Sequence, residues 1–64
     1  MYSVVMKTIF DNIYTVERGL SYLGAHERML WLVATNKQKY FDDLLISQIQ
    51  IVDENNAVVI EMEV

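Results

Sequence analysis

Apolar and polar residues alternate most regularly over residues 48–64, QIQIVDENNAVVIEMEV. Ile49 and Ile51 alternate with Gln48 and Gln50, and beyond the polar break Asp53-Glu54-Asn55-Asn56 the residues Val58, Ile60, Met62 and Val64 alternate with Val59, Glu61 and Glu63. A period of two marks strands with one buried face. Asn tolerates positive φ, so Asn55-Asn56 suit the centre of a tight primed turn. Closure there sets Ile51 opposite Ile60, Ile49 opposite Met62, Gln50 opposite Glu61 and Gln48 opposite Glu63. A longer loop of four residues slides the partners by two and keeps the same faces together, so the sidedness is fixed more firmly than the turn. An isolated hairpin is marginal in water, and its apolar face requires a cover.

Upstream, residues 2–9 (YSVVMKTI) are rich in β-branched and aromatic side chains and predict a strand. Asp11 stands where a helix N-cap belongs, Ile13, Val16, Leu20 and Leu23 recur at spacings of three and four, and Gly24 fits a C-terminal cap. That pattern predicts an amphipathic helix over residues 11–23, with Gly19 allowing close helix-to-sheet packing. Residues 29–34 (MLWLVA) are an unbroken apolar run, as in a strand buried on both faces. Strand, helix and strand in succession form a βαβ unit with a right-handed crossover and parallel strands. After Thr35-Asn36, the positions of Tyr40, Phe41, Leu44 and Leu45 fit a short helix over residues 37–46, or a loop leading into a longer strand that begins near Leu44. The expected fold is α+β in one domain: a small four-stranded mixed sheet, β-α-β-(α)-β-β, with one long helix packed on one face and a C-terminal hairpin.

Size and charge narrow the functions. In a chain of 64 residues the gain from apolar burial and the cost of ordering nearly cancel. No cysteine is present to cross-link the fold, and one histidine is too few for a structural zinc site. A hydrophobic content of 53% is high for such a length and predicts additional burial between copies or against a partner, so a homodimer or an obligate binder is expected. The formal charge of −4, with five scattered basic residues against nine carboxylates, excludes ordinary nucleic-acid binding. No apolar run is long enough to span a bilayer, the N-terminal residues do not form a signal peptide, and the absence of cysteine fits the cytoplasm.

Candidate chemistry is sparse. His26 beside Glu27 lacks any nucleophile or second activated group at a telling spacing. Asp42 and Asp43 would diverge by about 100° on a helix and so would not share an ion. Asp53-Glu54-Asn55-Asn56 lacks the glycine and the distal glutamate of a calcium loop. With only Gly19 and Gly24 there is no phosphate-binding loop. The chain is therefore expected to be non-enzymatic, with no cofactor and no metal.

Two surface features remain. On a helix over residues 11–23, Tyr14, Arg18 and Tyr22 would align at i, i+4 and i+8, and these residue types are enriched at interface hot spots. Asp53, Glu54, Glu61 and Glu63 would form an acidic face around the hairpin, which a nucleic-acid-acting enzyme can mistake for a phosphate backbone. The first feature favours a protein-binding module, an inhibitor or regulator of another protein. The second supports the alternative of an acidic DNA mimic. In its size, acidity and lack of catalytic motifs the chain resembles the small accessory proteins of phages and other mobile elements.

Overall fold

The computed structural model describes residues 1–36 and 45–63. Its elements in chain order are β1 (Tyr2–Thr8), β2 (Ile13–Leu20), α1 (Tyr22–Asn36), β3 (Ile46–Val52) and β4 (Val58–Glu63). The strands form a four-stranded sheet in the order β2-β1-β3-β4, antiparallel at every pairing. The small α+β class, the helix on one face and the C-terminal hairpin are as the pattern predicts. The assignment of the first half is not. Residues 13–20 are a strand rather than part of a helix, residues 29–34 lie inside the helix, and no parallel crossover makes the sheet mixed. The short helix considered for residues 37–46 falls mostly on 37–44, outside the described residues, and Ile46 is the first residue of β3.

Local irregularity in β2 explains its helix-like spacing. Two register shifts interrupt its pairing with β1, one between the partners of Tyr2 and Val4 and one between those of Val4 and Val5. Each bulge inserts a residue and breaks the period of two. The positions of β2 opposite Met6, Val4 and Tyr2 on the helix side thereby become Tyr14, Glu17 and Leu20, three apart instead of two, and Val16 and Leu20 both pack on the core.

The two hairpins close with the same device. In the second, Asp53 N–H donates to the Ala57 carbonyl (3.0 Å) and Asn56 N–H to the Asp53 carbonyl (3.0 Å), with Asn56 at φ 63°. Asp53 Oδ1 accepts from Asn55 N–H (2.8 Å) and Ala57 N–H (2.9 Å). In the first, Thr8 takes the part of Asp53, its Oγ1 accepting from Phe10 N–H (3.2 Å) and Asn12 N–H (3.1 Å), while Asp11 takes the left-handed position at φ 66°. Asp11 is thus a turn residue and not a helix cap. Glu54 and Asn55, rather than Asn55 and Asn56, are central in the second turn. The predicted register nevertheless holds at all four pairs, because a bulge between Ile51 and Val52 makes up the residue by which the turns differ. Asp53→Ala should cost about 1–2 kcal/mol in urea unfolding, since it orphans two amides, whereas Asp53→Asn keeps an acceptor and should lose less than half of that.

The helix begins at a cap that the pattern does not predict. Ser21 Oγ accepts from Gly24 N–H (3.0 Å), so Gly24 sits in the first turn of α1 rather than beyond the end of a helix. Ala25, Met29 and Leu32 recur at helical spacing and are buried over the sheet, where α1 crosses β1, β2 and β3. Beneath them lie Val4, Met6, Ile46, Ile49 and Ile51, with Ile60 and Met62 packed at the margin.

Candidate protein-binding surface

The helix has a second apolar face. Leu23, Leu30 and Trp31 are 68%, 54% and 49% exposed. At about 100° per residue Leu23, Glu27, Leu30 and Ala34 lie on one line along α1, with Trp31 and Gly24 on its flank, opposite the buried Ala25, Met29 and Leu32. Trp31 is fixed from its side nearest β2. The Arg28 guanidinium lies 4.6 Å from the centre of the Trp31 ring, and Arg28 Nε is 3.2 Å from Glu17 Oε1. That Nε–H is not directed at any acceptor, so the contact with Glu17 is a charge pair and not a hydrogen bond. The half-exposed pair contributes little stability by itself. Its consequence is positional: an aromatic surface is held in place by a cation stacked on it.

Among the described residues no helix lies over the other side of the sheet. Paired positions there form three cross-strand rows: Ile13, Lys7, Gln48 and Glu63; Thr15, Val5, Gln50 and Glu61; and Ser3, Val52 and Val58. Val5, Gln50 and Val52 are buried. A shallow groove of about 310 Å³ runs over Val5 and Val52, with Arg18 and Thr15 on one wall and Asp53 and Glu54 on the other. Gln50 is 6% exposed and satisfies its amide by donating to Glu61 Oε2 (3.1 Å) and Gln48 Oε1 (3.3 Å), while Gln48 donates to Glu61 Oε1 (3.0 Å). The two glutamines hold Glu61 in place, as a buried amide requires.

The aligned stripe of Tyr14, Arg18 and Tyr22 does not exist, because its helix does not. Tyr14 stands opposite Met6 on the helix side, Arg18 lines the groove on the uncovered side, and Tyr22 belongs to α1. Tyr22 packs edge-on against Tyr2 (5.3 Å between ring centres) and against His26 (5.0 Å). Tyr22 thus adjoins Tyr2 while Tyr14 adjoins Met6, strand positions roughly 13 Å apart along β1. Asp53, Glu54, Glu61 and Glu63 all fall on the uncovered side of the sheet, two at the groove and two along β4. Asp53 is engaged in its turn, Glu54 is 3.9 Å from the N-terminal amine, and Glu61 and Glu63 extend along β4. Lys7 shares the row of Glu63 and is 3.3 Å from Asp11.

His26 is a half-buried helix residue in a ring stack. Among the described residues no three His, Cys, Asp or Glu side chains gather as metal ligands, and no helix is long and apolar enough to cross a membrane. Leu30 and Trp31 were legible only as part of a buried strand. The signal that places them on the surface is the i, i+4, i+7 spacing of Ala25, Met29 and Leu32, which marks the inner face of a helix and leaves Leu30 and Trp31 outside it. Comparison with family models, curated proteins and solved structures found no match to this chain. The fold and surface together define a small α+β scaffold that presents an apolar helix face.

Proposed function

We propose that this chain is a small protein-binding module which acts by docking, as an inhibitor or regulator of another protein, and not by catalysis. The observation that carries the reading is the outer face of α1, where Leu23, Leu30 and Trp31 are exposed together. Single exposed apolar residues are ordinary on a protein surface. A tryptophan braced by an arginine, next to one exposed leucine and about two helical turns from another, has the composition of an interface anchor. Helix-in-groove binding uses such a row.

Affinity capture from the source cell followed by binding measurements with the purified partner tests this. Leu30→Glu should weaken binding at least about tenfold while leaving the far-UV spectrum unchanged, because it places a charge in the apolar contact. Arg18→Ala, on the uncovered sheet face, should leave binding intact. The reverse pattern would transfer the contact to the groove and refute the helix face. Binding centred on Leu30 and Trp31 should also change little between about 0.05 and 0.5 M salt, whereas acidic mimicry of DNA would weaken steeply.

A further inference from the structure

We propose that the groove on the uncovered side of the sheet is a small-molecule site whose ligand is a zwitterionic α-amino acid with an apolar side chain. The site is separate from the helix face and does not depend on it. The groove of about 310 Å³ continues past Thr15 and Val52 into a second hollow of about 290 Å³ that ends at Ile13 and Val58. Hollows of this size lie at the lower end of small-molecule sites. Val5 and Val52, 5% and 7% exposed, floor both. A charged end and an apolar end thus share one buried floor.

Charge selects the occupant. Arg18, on β2, has no ion pair among the described residues, whereas Asp53 and Glu54 follow β3 on the opposite wall. Asp53 Oδ1 accepts from the amides of Asn55 and Ala57, and Glu54 Oε1 is 3.9 Å from the N-terminal amine, an ammonium of the kind the ligand brings. Both groups of that contact are largely exposed, so it exchanges at little cost. A simple anion drawn to Arg18 is repelled by the acidic wall, and a simple cation meets the converse. A molecule with both charges is attracted at both walls. Spacing sets its length: β2 and β3 flank β1, and side chains stand roughly perpendicular to a sheet, so the walls are about 10 Å apart. Hydrogen bonds of about 3 Å at each wall leave roughly 4 Å between the ligand's own charges, close to the spacing of ammonium and carboxylate on one carbon. Its side chain then lies over Val5 and Val52 and points to Ile13 and Val58, where apolar burial adds to affinity.

Titration of the whole isotope-labelled chain with L-leucine and with L-phenylalanine, followed by backbone amide chemical shifts, tests the site. Ligands of so few atoms in a half-open groove should bind with a dissociation constant of about 1 mM. The shifts should concentrate at Val5, Thr15, Arg18 and Val52 and be absent at Leu23, Leu30 and Trp31. Isocaproate, which is leucine without the ammonium, and isoamylamine, which is leucine without the carboxylate, should each bind at least about tenfold more weakly, as should glycine, which has no side chain. Arg18→Gln and Glu54→Gln should each weaken leucine about tenfold, while Arg18→Lys keeps the charge and retains part of the binding. Circular dichroism confirms that each variant is folded before it is scored. No shift with either amino acid at about 20 mM overturns the site. Equal affinity for leucine and for isocaproate or isoamylamine overturns recognition by two charges. Shifts centred on the helix face, or undiminished in Arg18→Gln, overturn the groove as the place of binding.

Discussion

Ile49→Ala should remove most of the stability of this protein, about 3–4 kcal/mol by urea unfolding followed in the far ultraviolet. Ile49 is fully buried, on the second of the two central strands, between Met6 on β1 and Met62 on β4 and under the helix. Truncation removes three carbons' worth of transfer free energy and leaves a cavity whose walls are rungs of a sheet, which cannot collapse without breaking ladder hydrogen bonds. A domain of this size has roughly 3–10 kcal/mol in total, so the loss is a large share of the whole. Ile60→Ala, half-buried at the margin of the core on the edge strand, should cost only about 1–2 kcal/mol because the gap opens to water. Ile49→Val should cost about 1 kcal/mol. Equal losses for Ile49→Ala and Ile60→Ala would mean that the core is not centred where β1, β3 and α1 meet.

The second half of the fold is legible in the sequence because each level of structure agrees there. In residues 48–63 the alternation, the polar break and the cross-strand pairing all specify one register, and a bulge absorbs the change of turn type without moving a side chain to the wrong face. The first half misleads for two physical reasons. Bulges in β2 convert a period of two into a spacing of three, and a helix with apolar residues on both its inner and its outer face loses the polar stripe by which an amphipathic helix is known. MLWLV therefore resembles a strand buried on two sides. It is a helical segment with Met29, Leu32 and Val33 turned inward and Leu30 and Trp31 turned out. The same two residues that spoil the helical pattern constitute the candidate surface. A local rule broken without a structural gain in the monomer is where an interaction is to be sought. The residue types expected at a contact, an aromatic and an arginine, are present there as Trp31 and Arg28, although on a different element from Tyr14, Arg18 and Tyr22.

Gly19 supplies a test of why the bulged strand can lead into the helix. Close packing against a helix would make it intolerant of any added carbon, whereas a Cβ built there meets nothing within 4 Å. Its constraint is conformational: φ is +71°, in the region where an L side chain crowds its own carbonyl. Gly19 lies within the bulge, between Glu17 and Leu20, where its positive φ takes up the extra residue so that Leu20 still pairs with Tyr2 and Ser21 is placed to cap α1. Gly19→Val should therefore cost about 2–3 kcal/mol, a β-branched residue being poorly suited to positive φ, and Gly19→Ala about 1 kcal/mol after the smaller unfolded-state entropy is allowed for. At 64 residues the chain is within reach of chemical synthesis, and D-alanine at position 19 separates the two causes. D-alanine favours positive φ, so it should stabilise the fold by about 0.5–1 kcal/mol relative to glycine, as judged by the urea midpoint. Were the position limited by space, D-alanine and L-alanine would destabilise alike. Opposite signs for the two enantiomers locate the requirement in the backbone, at the point where β2 ends and the helix that carries the exposed face begins.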